Sequence, residues 1–463
     1  MHMISIKNVY ANKKVLVLGA GKSGTNAAKL LIKMGAKVTL NDRKNKSEVP
    51  EYDSLVADNV NVILGKQDAS ILDDDFDLMV KNPGIPYDNP VVEKAEQMDI
   101  PIIVEVQLAS EITDAELIGV TGSNGKTTTT TMINKMLNAN RTSGKSYVAG
   151  NIGVPATQVA ANAGSKDSIV MELSSFMLLG ITSLHPHIAV LTNIFSNHLD
   201  YHKTRENYVN AKMNITKNQD ENDYFVVNFD TAEWRDLSKR SKAQVVPFSR
   251  KGNSKLGAYV QNDKIYFKSE YVMDVKDIKL PGEQNVENAL AAIAVAKIKG
   301  VDNNSIKSVL SKFNGVRHRV QYVLEADGRK IYNDSKATDI EATQMALNGF
   351  DEPIVLLAGG LDRGYKFDKL VPNLSKNVKA VVLFGETKHL LKDAAEKAGV
   401  ENIKLVDNID QAVPIAYKFS EPGDVILLSP ANASWDQFNT FEERGDRFIH
   451  DIKKITGVKE VKQ

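Results

Sequence analysis

Leu117-Ile-Gly-Val120-Thr121-Gly122-Ser123-Asn124-Gly125-Lys126-Thr127 is the stretch on which the reading of this chain turns. Its apolar start predicts a strand, its glycines a tight turn, and Met132, Ile133, Met136 and Leu137 beyond it recur at helical spacing. Strand, turn and helix in that order leave backbone N–H groups unpaired at a helix start, where they can bind phosphate. The Gly125-Lys126-Thr127 ending adds a lysine beside the phosphates and a hydroxyl able to ligate Mg²⁺. Strict spacing for such a loop requires glycine at 120, and this chain has Val120, so support must come from elsewhere. Glu172, which follows the apolar run 168–171, supplies it, because a carboxylate at a strand end can complete a Mg²⁺ site. The threonine run from Thr127 to Thr131 reads as the start of the helix.

About a hundred residues upstream the arrangement recurs. Lys14-Val-Leu-Val-Leu18 leads into Gly19-Ala20-Gly21-Lys22-Ser23-Gly24, and the next helix puts Ala27, Ala28, Leu31 and Met34 on one face. Taken alone, this turn reads as a dinucleotide site, with Asp42 placed 18 residues after Gly24, where a ribose-binding acid is expected. Two phosphate turns on one chain point to an enzyme with two phosphorylated ligands. Apolar strands at 37–40, 77–80, 188–191, 224–227, 354–357, 381–384 and 425–428 alternate with helical stretches. That alternation predicts parallel α/β sheets with ligands at the carboxyl ends of strands. Residues 249–280 read instead as antiparallel strands, with Asn262-Asp263 as a turn.

At 463 residues the chain has room for about three domains, and junctions are placed near residues 104 and 315. Its 58 Lys+Arg balance 58 Asp+Glu, so the electrostatic footprint of a general nucleic-acid binder is absent. There is no cysteine, which excludes disulfides and thiol-held metals and fits a cytoplasmic protein. No apolar run reaches the roughly 20 residues of a membrane helix, and the N-terminus leads into the first strand rather than a signal peptide.

Seven segments, in order, then converge. They are the 121–127 loop, Gly150-Asn151-Ile-Gly153, Glu172-Leu-Ser-Ser175, Asn197-His198-Leu-Asp200, Ala211-Lys212, Asn285-Val-Glu-Asn288 and Arg317-His318-Arg319. Together they resemble the Mur ligases, which use ATP to join amino acids to a UDP-linked muramoyl substrate. Asn333-Asp334-Ser335-Lys336-Ala337-Thr338 and Ser429-Pro-Ala-Asn-Ala-Ser434-Trp-Asp-Gln-Phe438, with Phe441 beyond, resemble the members that add D-glutamate to UDP-N-acetylmuramoyl-L-alanine.

The resemblance implies three α/β domains: a Rossmann-like UDP-binding domain over 1–104, a central P-loop-type ATPase domain over 105–315 and a Rossmann-like amino-acid domain over 316–463. It makes the first glycine turn a nucleotide-sugar site, with Gly19, Gly21, Gly24, Asp42, Asn82 and Asn151 on the UDP substrate. It assigns ATP to Gly122, Ser123, Asn124, Gly125, Lys126, Thr127, Thr128, Asn285, Asn288, Arg319 and Asp334. A first Mg²⁺ falls to Thr127 and Glu172, and a second to His198 and Lys212, the lysine carbamylated by CO₂ into an anionic oxygen donor. Lys126, His198 and Lys212 become the catalytic set, and Lys336, Thr338, Arg363, Ser434 and Phe441 the D-glutamate site. Arg363 stands where some D-glutamate ligases have lysine; it keeps the charge and adds a bidentate geometry. The implied enzyme is a cytoplasmic monomer that binds neither nucleic acid nor membrane.

The chemistry accounts for these residue types. A carboxylate must first gain a good leaving group, which ATP supplies as an acyl phosphate, and two anions meet only where positive charge is concentrated. Without the resemblance, Lys212 reads as a solvated lysine, His198 as a surface histidine, Arg319 as a surface cation, and Phe438 and Phe441 as core aromatics. An NAD-dependent oxidoreductase leaves the Lys126 loop unexplained, and a P-loop nucleic-acid ATPase lacks basic, aromatic-interleaved stretches. Another amide ligase of the same family, including the folylpolyglutamate type, is the nearer alternative.

Overall fold

The computed structural model describes residues 9–139, 141–195 and 197–461. The chain divides into two compact units, one comprising Met1–Asp274 and Glu287–Val309, the other Val275–Val286 and Leu310–Gln463.

The first unit holds two sheets. One is built from β1 (Lys14–Leu18), β2 (Lys37–Asp42), β3 (Asn61–Leu64), β4 (Leu78–Lys81) and β5 (Ile102–Ile103), all parallel, in the order β3-β2-β1-β4-β5. Both faces are covered, so β1 is apolar at successive positions: Val15 and Val17 enter one core cluster, Leu16 and Leu18 another. The helix Lys22–Lys33 lies on the first face, and Ala27, Ala28, Leu31 and Met34 are buried as its spacing predicts. Strand order reverses between β1 and β4, which opens a crevice beyond their carboxyl ends.

The other sheet has nine strands: β6 (Glu116–Thr121), β7 (Ser146–Gly150), β8 (Ser168–Glu172), β9 (Ile188–Leu191), β10 (Tyr224–Asn228), β11 (Gln244–Ser249), β12 (Ala258–Gln261), β13 (Lys264–Phe267) and β14 (Glu270–Asp274). Their order is β14-β13-β12-β11-β10-β9-β6-β8-β7, parallel from β7 to β12 and antiparallel from β12 to β14. The expected turn joins β12 to β13, with Asn262 and Asp263 at φ 51° and 55°, as a two-residue hairpin requires. Register pairs Val120 with Glu172 across β6 and β8, which brings that carboxylate beside the glycine turn. Met132, Ile133, Met136 and Leu137 seat the helix Lys126–Ala139 on the sheet. The two sheets share one core cluster running from Tyr10 to Ala243, so packing continues across residue 104.

The second unit contains β15 (Gln321–Ala326), β16 (Arg329–Asn333), β17 (Ile354–Gly359), β18 (Val378–Phe384), β19 (Asn402–Leu405) and β20 (Val425–Leu428), in the order β15-β16-β20-β17-β18-β19. Only β15 runs antiparallel. Ile354 and Leu356 face one core, Val355 and Leu357 the other. The segments bearing Thr338, Ser434 and Arg363 leave the carboxyl ends of β16, β20 and β17, three adjacent strands. Among the described residues, no helix is long and apolar enough to cross a membrane.

Candidate active site

The turn after β6 tolerates only glycine at two positions. Gly122 has φ +150°, and a Cβ there would lie 1.9 Å from Thr192 Oγ1; Gly125 has φ +79°, and its Cβ would lie 2.1 Å from Asn288 Oδ1. Residues just after β9 brace the loop. Ser123 N donates to Asn193 O (2.9 Å), Asn124 N to Asn193 Oδ1 (2.9 Å), and Thr192 Oγ1 to Asn124 O (2.7 Å). The Ser123 hydroxyl meets that of Tyr208 at 2.9 Å. Thr127 and Thr128 are buried in the first turn of the following helix.

Two lysine Nζ atoms converge on one carbonyl. Lys126 Nζ donates to Gly122 O (2.9 Å) and Ser123 O (2.8 Å), while Lys212 Nζ donates to Gly122 O (2.8 Å) and lies 4.6 Å from the Tyr208 ring centre. Lys212 is 2% exposed, which overturns its reading as a solvated lysine. Burial, together with the charge of Lys126, holds its pKa well below the lysine range against the opposing pull of Glu172. Glu172 is itself buried; it accepts from Thr127 Oγ1 (2.7 Å) and from Asn151 Nδ2 (2.9 Å). This hydroxyl and carboxylate form a hard, all-oxygen pair of the kind that suits Mg²⁺. His198 is exposed, with left-handed backbone (φ 55°, ψ 36°) at the start of the helix Leu199–His202. Its ring centre lies 6.4 Å from that of Tyr208. Tyr208 therefore adjoins Ser123, Lys212 and His198, though the sequence reading had not singled it out. The available signal was its place four residues before Lys212, on the same helical face.

The first glycine turn is built differently. Gly19, Gly21, Asp42 and Asn82 line a cavity of about 290 Å³. Gly19 has φ +105°, and a Cβ there would come within 2.8 Å of Asn82 Cβ. Asp42 Oδ2 accepts from Ala20 N (2.6 Å) and Oδ1 from Lys44 N (2.9 Å), so this carboxylate ties two segments of the cavity wall. Two expected members lie elsewhere. Gly24 is a packing glycine whose Cβ would meet Gly19 O at 1.9 Å, and Asn151 sits on Glu172 beside the second turn.

In the second unit, Asp334 Oδ1 accepts from Val320 N (3.1 Å) and Oδ2 from Ser429 Oγ (2.9 Å); burial pushes its pKa up to about 7. Arg319 Nε and Ser434 Oγ are buried without a hydrogen-bond partner, two donors that a ligand oxygen would satisfy. Lys336 Nζ lies 5.1 Å from the Phe441 ring centre; Phe441 opens the last helix half-buried, not in the core, whereas Phe438 packs against the core. Thr338 is half-buried, and Arg363 is exposed, 5.5 Å from the Tyr365 ring centre. Asn285 belongs to this unit, its amide donating to Pro281 O (2.7 Å), while Asn288 on the same helix belongs to the other.

Arg444 was not read from the sequence. Buried, it donates to Ser335 O (2.9 Å), Asn432 O (3.0 Å) and Gly359 O (3.3 Å), and so holds together the loops after β16 and β20 and the carboxyl end of β17. Nothing in an amphipathic helix marks such an arginine in advance.

Comparison with known proteins agrees with this arrangement. Residues 13–104 match the Mur ligase MurD-like N-terminal domain, 120–296 the Mur ligase middle domain, and 318–432 the Mur ligase glutamate ligase domain. The chain is 59% identical to the UDP-N-acetylmuramoylalanine–D-glutamate ligase of Lactiplantibacillus plantarum, over 97% of this chain and 98% of that protein. The proteins of that name from Ligilactobacillus salivarius and Enterococcus hirae are 60% and 54% identical, over 96% of this chain in each case and 97% and 96% of theirs. Two solved structures from Thermotoga maritima share the fold. UDP-N-acetylmuramate-alanine ligase MurC has TM-score 0.59 at 19% identity, covering 96% of this chain and all of that one. MurF ligase in complex with ADP has TM-score 0.57 at 19% identity, covering 97% of each. With relatives this similar along nearly its whole length, the chain belongs to the Mur ligase family, in its UDP-N-acetylmuramoylalanine–D-glutamate ligase branch.

Proposed function

We propose that this enzyme joins D-glutamate to UDP-N-acetylmuramoyl-L-alanine at the expense of ATP, a step in cytoplasmic peptidoglycan precursor synthesis. The observation that carries the reading is the convergence of Lys126 and Lys212 on Gly122 O, beside the Thr127–Glu172 pair. A substrate carboxylate oxygen attacks the γ-phosphorus of ATP and ADP leaves; the neutral D-glutamate amine then attacks the acyl carbon, loses a proton from nitrogen, and inorganic phosphate departs carrying that proton. Lys126 offsets the charge of the two approaching anions. Thr127 and Glu172 would hold one Mg²⁺, His198 and a modified Lys212 another; bound there, the metals would neutralise phosphate charge. Lys212 suits carbamylation because burial and Lys126 favour the neutral amine. Its neutral amine nitrogen bonds to the carbon of CO₂ and gives up one proton, and the uncharged amine becomes an anionic carbamate oxygen donor.

Gly19, Gly21, Asp42 and Asn82 take the UDP moiety, and Asn151 a more distal part of that substrate. Asn285, Asn288, Arg319 and Asp334 complete the ATP site, and Lys336, Thr338, Arg363, Ser434 and Phe441 recognise D-glutamate. We place domain boundaries at 104 and 315 and take the enzyme to act as a monomer. Phosphate release with ATP, Mg²⁺, UDP-N-acetylmuramoyl-L-alanine and a panel of D- and L-amino acids tests the reading. Release dependent on D-glutamate is expected. Preference for another amino acid would move the assignment to a different ligase, and no release with any would overturn it.

A further inference from the structure

Lys81, the last residue of β4, is fully buried at 0% exposure and has no part in the roles described above. Its Nζ donates to Ile85 O (2.6 Å), Asn82 O (3.4 Å) and the Tyr201 hydroxyl (3.4 Å), and lies 4.6 Å from the Tyr87 ring centre. Burial lowers its pKa to about 8, with Glu96 opposing from longer range. Withdrawing an ammonium from water in this way is unfavourable unless its protons are met, and here carbonyls and a hydroxyl meet them.

Those partners belong to two places that the proposed reaction must bring into step. Asn82 and Ile85 lie in the turn after β4, and both line the cavity over Gly19. Tyr201 lies in the short helix that His198 opens, and its hydroxyl donates back toward Pro83 O (3.3 Å) and Ile85 O (3.2 Å). The Tyr201 ring meets Phe176 edge-on at 4.5 Å; Phe176 in turn meets His198 at 5.0 Å and stacks on His202 at 5.4 Å. His202 is anchored by Ser175 Oγ at 2.9 Å from its Nε2. An unbroken run of contacts thus joins the wall of the nucleotide cavity to the ring of His198.

We propose that Lys81 is a positioning residue that ties the turn lining the nucleotide cavity to Tyr201, so that filling the cavity sets the position of His198. The proposal rests on the first glycine turn being the UDP site and on His198 serving the reaction. A merely structural staple would affect folding but would carry no signal from one place to the other.

The test uses the full chain, UDP as the probe, and the ring resonance of His198, assigned by its loss in His198→Gln. UDP should move that resonance in the unmutated protein. Lys81→Met should bind UDP within about threefold of the unmutated protein yet show little of the movement. Tyr201→Phe keeps the ring against Phe176, removes only the hydroxyl, and should behave likewise, which covers the case in which Lys81→Met fails to fold. In turnover each single variant should lose roughly tenfold in kcat, and the double variant no more than either alone, because coupled residues are not additive. Full movement of the resonance in a folded variant, or multiplicative losses in the double variant, would overturn the proposal. UDP binding without any movement in the unmutated protein would remove the coupling alone, whereas failure to bind UDP would remove the substrate reading and the coupling together.

Discussion

The two glycine turns begin alike, as strand, turn and helix, and end as different instruments. Around Gly19 to Gly24 an asparagine packs on Gly19, and the aspartate is already spent on the Ala20 and Lys44 amides. Around Gly122 to Thr127, ionisable side chains dominate, with two lysine Nζ atoms on one carbonyl and a buried carboxylate on Thr127. A turn can therefore serve recognition or chemistry according to what its neighbouring strands deliver. The first should govern binding of one substrate, the second the rate of reaction.

The hardest strike against that division is Lys126→Ala. It should lower kcat by about 10²–10³-fold or more, with thermal unfolding unchanged, since it removes charge at the transferring phosphoryl and no core. Near-normal phosphate release would erase the contrast. Lys212→Ala should leave almost no turnover, because it removes the oxygen donor proposed for the second metal. Short carboxylic acids should restore part of this activity by supplying an oxygen donor; rescue by amines instead would mark an ordinary lysine. Gly24→Ala tests the other turn. A Cβ facing Gly19 O should weaken the first sheet or its nucleotide by up to about 3 kcal/mol, raising KM for the UDP substrate while KM for ATP stays level. If both KM values rose together, the turns would not be separable. Asp42→Asn, the mildest, keeps one acceptor and leaves one amide unmatched, for about 1 kcal/mol, or roughly a fivefold rise in KM for the UDP substrate. A fall in kcat of that size with KM unmoved would give the first turn a part in chemistry.

The sequence disclosed those parts of the fold and site that depend on local pattern. Strands buried on both faces, such as Ile188–Leu191 and Val425–Leu428, appear as uninterrupted apolar runs and were legible to the residue. Two other strands were not: Ile102–Ile103 at a sheet edge has only two residues, and Gln244–Ser249 contains Pro247, so neither carries a clear period. The glycines, Lys126 and Glu172 could be read because strand ends and turn chemistry announce them. The burial of Lys212 could not, since a short polar helix such as Arg205–Met213 gives no sign of which face meets Gly122. Arg444 and Lys81 escaped for a related reason. Arg444 is satisfied by carbonyl oxygens far away in sequence, and Lys81 by its own following turn together with the distant Tyr201 hydroxyl, groups that only the folded chain brings together.

Gly122 has a consequence for how this enzyme can change over generations. Any side chain there would collide with Thr192 Oγ1 at 1.9 Å and demand a backbone angle that other residues rarely adopt. An inhibitor whose contacts fell on the main chain of Gly122, rather than on the lysines around it, would press on a surface with almost no viable substitutions. Resistance would have to arise at some other position, where each change also risks the positioning of the reactive groups.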